Sequence, residues 1–302
     1  MAAANTINSD EFNFQRYDSG TGAWSSRLLR VHAPQRGEVL PIPDTVVFHD
    51  TTKVITLGGP NGTVGWVDLW TGILFCDVLD DDDKLVLRDM PLPKLARSNR
   101  RNFCRGRPHR YWDITVIACR DREVIKIKYV EMETRPGDVP SSSRRRLTDH
   151  SAGSQSDSDS DSDSDDEGVA YYWKANIWTM PLPISSWKDW RKECTVDVTD
   201  IAVDDSRHSE LLLPLSRHSA DSEDATWSLR RLMTAHPALG LGMDEDVIYF
   251  LCKVDVMDHK GWAIAVNTRH MKLSGVAELD HRKNSCFRRY YLPSEISKHL
   301  IK

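Results

Sequence analysis

Residues 65–79 read GWVDLWTGILFCDVL, from Gly65 to Leu79. Apolar side chains crowd two short runs, 63–69 and 73–79, and a polar turn separates them, which is the signature of two β-strands joined as a hairpin. The stretch also carries two carboxylates, Asp68 and Asp77. They are either an acid/base pair or parts of the hairpin frame. A two-residue loop at Thr71-Gly72 would leave them diagonal across the ladder at about 7–8 Å, a spacing that suits two-carboxylate hydrolysis. That loop demands a positive φ at Thr71, which a β-branched residue resists. A four-residue loop, 69–72, instead pairs Asp68 with Ile73 and puts Asp77 roughly 13 Å farther along at strand rise. The spacing therefore favours Asp68 as a turn former over a catalytic acid.

The same local pattern recurs. Asp18 is followed by Thr21-Gly22 and Trp24, Asp68 by Thr71-Gly72, and Asn267 stands in the Asp position of a looser copy, VNTRHMKL. The two aspartates lie 50 residues apart, and Asn267 lies 199 beyond Asp68, nearly four times that spacing. Repeats of about 40–50 residues built from short strands mark propeller blades. An Asp or Asn side chain at the head of a turn accepts a backbone N–H two residues on, and Gly72 tolerates backbone angles that other residues avoid. Asp18, Asp68, Gly72 and Asn267 are accordingly read as structural turn residues.

The chain has 302 residues, ten of them Trp, so aromatic anchors between strands are expected. Strands are expected near 12–17, 23–31, 45–49, 53–57, 63–69, 73–79, 113–118, 124–132, 169–180, 195–203, 246–254, 261–267 and 272–279. Two segments have helical signals: 227–236, with apolar residues at helical spacing before Pro237, and a C-terminal candidate opened by Ser294. Residues 137–168 contain only two aliphatic side chains larger than alanine, Val139 and Leu147, and are expected to be a disordered insert. The chain divides into a first β-rich part, 1–136, the insert, 137–168, and a second β-rich part, 169–302.

Net charge is −5, and the run 156–167 alone holds seven acids and no base, so the rest of the chain stands at +2. Within that run Ser156, Ser158, Ser160, Ser162 and Ser164 each have an acid three residues on, a pattern resembling casein kinase 2 substrates. Each phosphate would add about −1.5 to −2 of charge. The opposite sign gathers at 97–110, where Arg97, Arg100, Arg101, Arg105, Arg107 and Arg110 occur without an acid. RNA, an import receptor and the acidic tract itself are the ligands such a loop suits, with Phe103, Tyr111 and Trp112 as nearby stacking surfaces. An ordinary solvated loop is the simpler expectation.

No Cys pair has zinc or redox spacing, and the six cysteines are read as reduced thiols of an intracellular protein, cytoplasmic or nuclear. Asp80 to Asp83 lacks the alternation and glycine of a calcium loop and is read as a polar hairpin tip. No phosphate loop, dinucleotide fingerprint, nucleophile elbow or zinc-protease motif occurs, so no cofactor, metal or catalytic residue is expected. The start lacks a secretory leader, and no apolar run reaches the roughly 20 residues needed to span a bilayer.

Taken together, the stretch 65–79, the following LRDMPLP, DITV and IKYVE, IWTM, HPAL, DVIYF, WAIAV and the closing YLPSEISK resemble the plant domain of unknown function 1618 family, abundant in grasses. Two positions depart from the family pattern: Thr71 replaces a usual Arg and Asn267 a usual Asp. The family carries no established activity, so the resemblance transfers no site residue. Its strand pattern is similar to F-box-associated and kelch-type propellers, which recognise proteins. The expectation is an all-β, mainly antiparallel, propeller-like and incomplete fold. It would act as a monomeric, non-catalytic module for an unknown protein partner, with nucleic acid and membrane not expected as partners. A hydrolase or carbohydrate-binding site at a propeller mouth, and RNA binding through 97–110, are the alternatives.

Overall fold

The computed structural model describes residues 4–5, 10–40, 48–118, 124–136, 171–206, 208, 229–230, 232–241, 245–253 and 260–280. These form fifteen strands and, among the described residues, no helix of seven or more residues. The first seven are β1 (Ala4–Asn5), β2 (Glu11–Asp18), β3 (Ala23–His32), β4 (Lys53–Gly58), β5 (Thr63–Asp68), β6 (Gly72–Asp77) and β7 (Leu87–Pro91). Next come β8 (Trp112–Ala118), β9 (Val124–Pro136), β10 (Tyr171–Pro181) and β11 (Arg191–Asp197). The last four are β12 (Met233–Leu239), β13 (Val247–Lys253), β14 (Lys260–Asn267) and β15 (Lys272–Asp280).

Three successive four-stranded antiparallel meanders, β4–β7, β8–β11 and β12–β15, make up the body. The β2–β3 hairpin extends the first of them through a short parallel pairing, Val31 with Leu87 and His32 with Arg88, giving a seven-stranded curled sheet. The leading strands of the three meanders lie side by side, β8 between β4 and β12. This is an incomplete, propeller-like stack, although its meanders begin at Lys53, Trp112 and Met233 and do not follow the 50-residue spacing of the turns.

Strand alternation builds its three apolar layers. In β5 and β6, Trp66 and Leu74 face the hairpin and pack on Phe12, Phe14 and Leu29, while Val67, Ile73 and Phe75 face the middle sheet. In β9, Ile127 and Tyr129 point back at the first sheet, and Val130 and Met132 point on toward Phe250 and Ile264 of the third. A strand sandwiched on both faces is apolar at nearly every position, which explains why 65–79 reads as almost continuous hydrophobe.

Four expectations are corrected. Residues 233–236 belong to strand β12, because Pro237 sits at a bulge between Ala235 and Ala238 where no ladder N–H is required, and His236 there takes φ +55°. The strand expected at 195–203 starts earlier, at Arg191, and leaves the ladder at Val198 in a 3-10 turn. Residues 48–49 are not in a strand, and β7 was not anticipated as one. The insert 137–168 and the C-terminal helix lie outside the described residues.

Candidate functional site

The repeated turns are built as the sequence implies. Asp18 accepts the N–H groups of Gly20 at 2.7 Å and Thr21 at 3.3 Å. Asn267 does the same for Arg269 at 3.0 Å and His270 at 2.9 Å. Asp68 takes the Trp70 N–H at 2.8 Å on one carboxylate oxygen, and the Thr71 hydroxyl at 2.8 Å and the Asp50 N–H at 3.0 Å on the other. Thr71 thus makes a contact of its own in this buried turn.

The hairpin loop is neither of the two lengths considered from sequence. Asp68 pairs with Gly72, leaving a three-residue loop, and Asp77 pairs with Thr63. An odd number of positions separates Thr63 from Asp68, so the two carboxylates project from opposite faces of the sheet. Gly72 is required by close approach: a Cβ there would lie 2.6 Å from the Met90 carbonyl oxygen of β7.

A second polar cluster joins the three leading strands. Lys53 of β4 donates to Asp113 of β8 at 3.0 Å, and the other Asp113 oxygen accepts the Leu239 N–H of β12 at 3.0 Å. His236 approaches the His109 carbonyl at 3.1 Å. Burial pushes the His109 imidazole down to about 4, with Asp113 opposing that shift and Lys53 and His236 adding to it. This cluster ties sheets together and is largely closed to solvent.

The arginine-rich loop is fixed from beneath. Asn99, buried, donates to Glu131 Oε1 at 2.9 Å and to the Met132 carbonyl at 3.0 Å, and the Ala96 N–H adds a bond of 3.0 Å to Glu131. Ser98 donates to Glu133. Burial raises the Glu131 carboxyl above its ordinary range, partly offset by the bonds from Asn99 and Ala96. Above this anchor all six arginines, Arg97, Arg100, Arg101, Arg105, Arg107 and Arg110, are exposed. The stacking surfaces are not: Phe103 and Trp112 are core residues packed on Trp70, and only half-buried Tyr111 remains, under Arg110. Their apolar area serves the first-to-second-sheet core, and base stacking there is overturned. Ser156, Ser158, Ser160, Ser162 and Ser164 lie outside the described residues.

Sequence reasoning missed a groove of about 780 Å³ between the first sheet and the 182–187 segment. Phe75, Met90, Leu57 and Ile184 give it an apolar lining, Trp187 stands at its edge, and Asp77, Arg88 and Asp89 supply charge. Arg88 bridges to Asp77 at 2.9 Å, and Asp89 accepts the Gln35 N–H at 2.9 Å. The far wall is held rigidly. Ser186 and Asp189 form a capping box around Trp187, and the Trp190 indole donates to the Pro91 carbonyl at 3.0 Å. The local signal was present in ISSWKDW, but the groove itself needs the end of β7 and the segment after β10 brought together, Pro91 meeting Trp190 across 99 residues.

Comparison with known families agrees with these elements: the family described as protein of unknown function (DUF1618) matches residues 66–249. The chain belongs to the DUF1618 family. The DUF1618 match begins at Trp66 in the β5–β6 hairpin and ends at Tyr249 in β13, so it covers the middle meander whole and parts of the first and third. No curated protein matches the chain.

Proposed function

We propose that this DUF1618 chain is a non-catalytic, monomeric protein-interaction module that receives an extended segment of its partner in the groove between the first sheet and residues 182–187. The observation that carries the reading is the groove's make-up: an apolar lining with a few oriented charges, formed by walls that are already hydrogen-bonded in place. The buried carboxylates support it further. Asp68 serves its turn, Asp113 serves Lys53 and Leu239, and Glu131 serves the 96–99 loop. Phosphorylation of the acidic serines is part of the proposal, as a means of changing which partners approach, and so is an intracellular setting, supported by the four described cysteines being free thiols.

Selection of a random peptide library against the full chain tests this. Peptides recovered by the natural chain should lose at least tenfold in affinity to Trp187→Ala and to Arg88→Glu, both at accessible positions. Peptides that bind those variants as well as the natural chain would overturn the groove as the binding surface.

A further inference from the structure

We propose that the exposed arginine surface of the β7–β8 connection is the docking site for the chain's own acidic tract, residues 156–167. This goes beyond the groove and stands independently of it.

Charge complementarity is the first argument. The loop presents six arginines and no acid, and the tract presents seven acids and no base. None of Arg97, Arg100, Arg101 and Arg105 forms an ion pair with a described residue. Arginine is suited to such a ligand because its fork meets a carboxylate or a phosphate through two parallel bonds.

Tether geometry is the second argument, and it singles out this occupant. The segment holding the tract leaves β9 at Pro136 and returns at Tyr171, and these two residues are paired. The arginine loop is fastened to the same strand three and four positions earlier, where Ser98 bonds Glu133 and Asn99 bonds the Met132 carbonyl. Three strand residues span about 10 Å. Glu167 lies four residues before Tyr171, a reach of at most about 14 Å for extended chain. One end of the tract is therefore held next to the arginines by covalent linkage, at an effective concentration on the order of millimolar. A separate acidic protein of similar charge would have to compete against that concentration. Phosphate on the five serines would strengthen the contact, since each adds charge and acceptor oxygens.

The test uses the full chain and a fluorescein-labelled synthetic peptide of residues 153–169, followed by anisotropy. A tract-neutralised chain (D157N, D159N, D161N, D163N, D165N, D166N and E167Q) should bind the peptide, more tightly once the peptide is phosphorylated and more weakly at high salt. The natural chain, with its surface filled, should bind at least tenfold more weakly. Adding Arg97→Gln, Arg100→Gln, Arg101→Gln and Arg105→Gln to the neutralised chain should abolish binding. Because these arginines are exposed, folding should survive their replacement. As a second measurement, trypsin should cut the 97–110 loop faster in the neutralised chain than in the natural one. Two controls separate the site from net charge and from a nearer basic run. D80N/D81N/D82N/D83N should leave the natural chain a weak binder, and R144Q/R145Q/R146Q should leave the neutralised chain a strong one. Equal binding by natural and neutralised chains would overturn the proposal. So would retention of binding without the loop arginines, relief by the Asp80 to Asp83 changes, or loss through the Arg144 to Arg146 changes.

Discussion

The Lys53 ammonium and the Asp113 carboxylate meet at 3.0 Å across the boundary between the first and second sheets, with Lys53 also donating to the Ile114 carbonyl. Asp113 reaches the third sheet through Leu239 as well, so one side chain links all three leading strands. Removing one partner of a buried pair leaves the other charge uncompensated, a loss of about 3–5 kcal/mol. Asp113→Ala should therefore cost about 3 kcal/mol or more in urea unfolding. Lys53→Met combined with Asp113→Leu should recover part of it. Additive losses in the double variant would show that the two residues do not act together.

The three Asp/Asn turns should differ sharply in what they contribute. Asp68 is buried and serves three donors, whereas Asp18 is exposed and serves two. Hydrogen bonds to a charged acceptor are worth about 1.5–3 kcal/mol when burial removes the competing water. Asp68→Ala is expected to lower stability by about 3 kcal/mol, and Asp18→Ala by less than about 1 kcal/mol. Equal melting temperatures for the two variants would contradict this ranking.

Gly72→Ala puts a methyl 2.6 Å from the Met90 carbonyl, against backbone that cannot swing aside. Overpacking of this kind costs about 1–3 kcal/mol. The expected result is a lower midpoint in thermal unfolding, while Gly22→Ala, with open space around its Cβ position, shows only the smaller effect of its left-handed backbone.

His109 gives the stability curve an acid limb. Its imidazole is held down at about 4 by burial, against an ordinary value of 6.5. Between those values the unfolded chain binds the proton that the folded chain refuses, so stability is complete above 6.5 and falls as pH drops toward 4. Glu131 works in the opposite sense, because its raised carboxyl favours folding below its folded value and that contribution fades as pH rises. His109→Gln should flatten the slope between pH 6.5 and 4, measured by denaturant titration at successive pH values. An unchanged slope would exclude His109 as its source.

The described cysteines should react in a fixed order. Burial pushes Cys252 up to about 12 and Cys76 up to about 11, whereas Cys104 is exposed and shifted less. The thiolate is the reactive form. Iodoacetamide followed by peptide mapping should modify Cys104 in the folded chain, and Cys76 and Cys252 only in denaturant.

Much of this architecture was legible because it is local. Asp18, Asp68 and Asn267 each announce a hairpin within four residues, but their spacing is not the meander repeat: Asp18 closes the β2–β3 hairpin outside the meanders, Asp68 the second-to-third-strand hairpin of the first meander, and Asn267 the third-to-fourth-strand hairpin of the last. What failed was also local in cause. The run before Pro237 has spacing that suits either a helix or a buried strand, and only pairing with β13 decides it. Phe103 and Trp112 looked available for stacking because sequence neighbours do not reveal that Trp70 lies on them. The groove was hidden for a stronger reason: its walls come from β3, β4, β6, β7 and residues 182–187, and no short window holds that arrangement.

The β9–β10 ladder runs through eleven paired positions and is closed where Tyr171 meets Pro136. Closing a loop costs entropy that grows only with the logarithm of its length, about 0.6 kcal/mol for each doubling. Once those eleven pairs are made, lengthening or shortening the chain between them scarcely changes the free energy of the stack. This hairpin tip is thus a place where the chain can accept new sequence, and with it new charge and new modification sites, while every buried contact of the three meanders stays as it is.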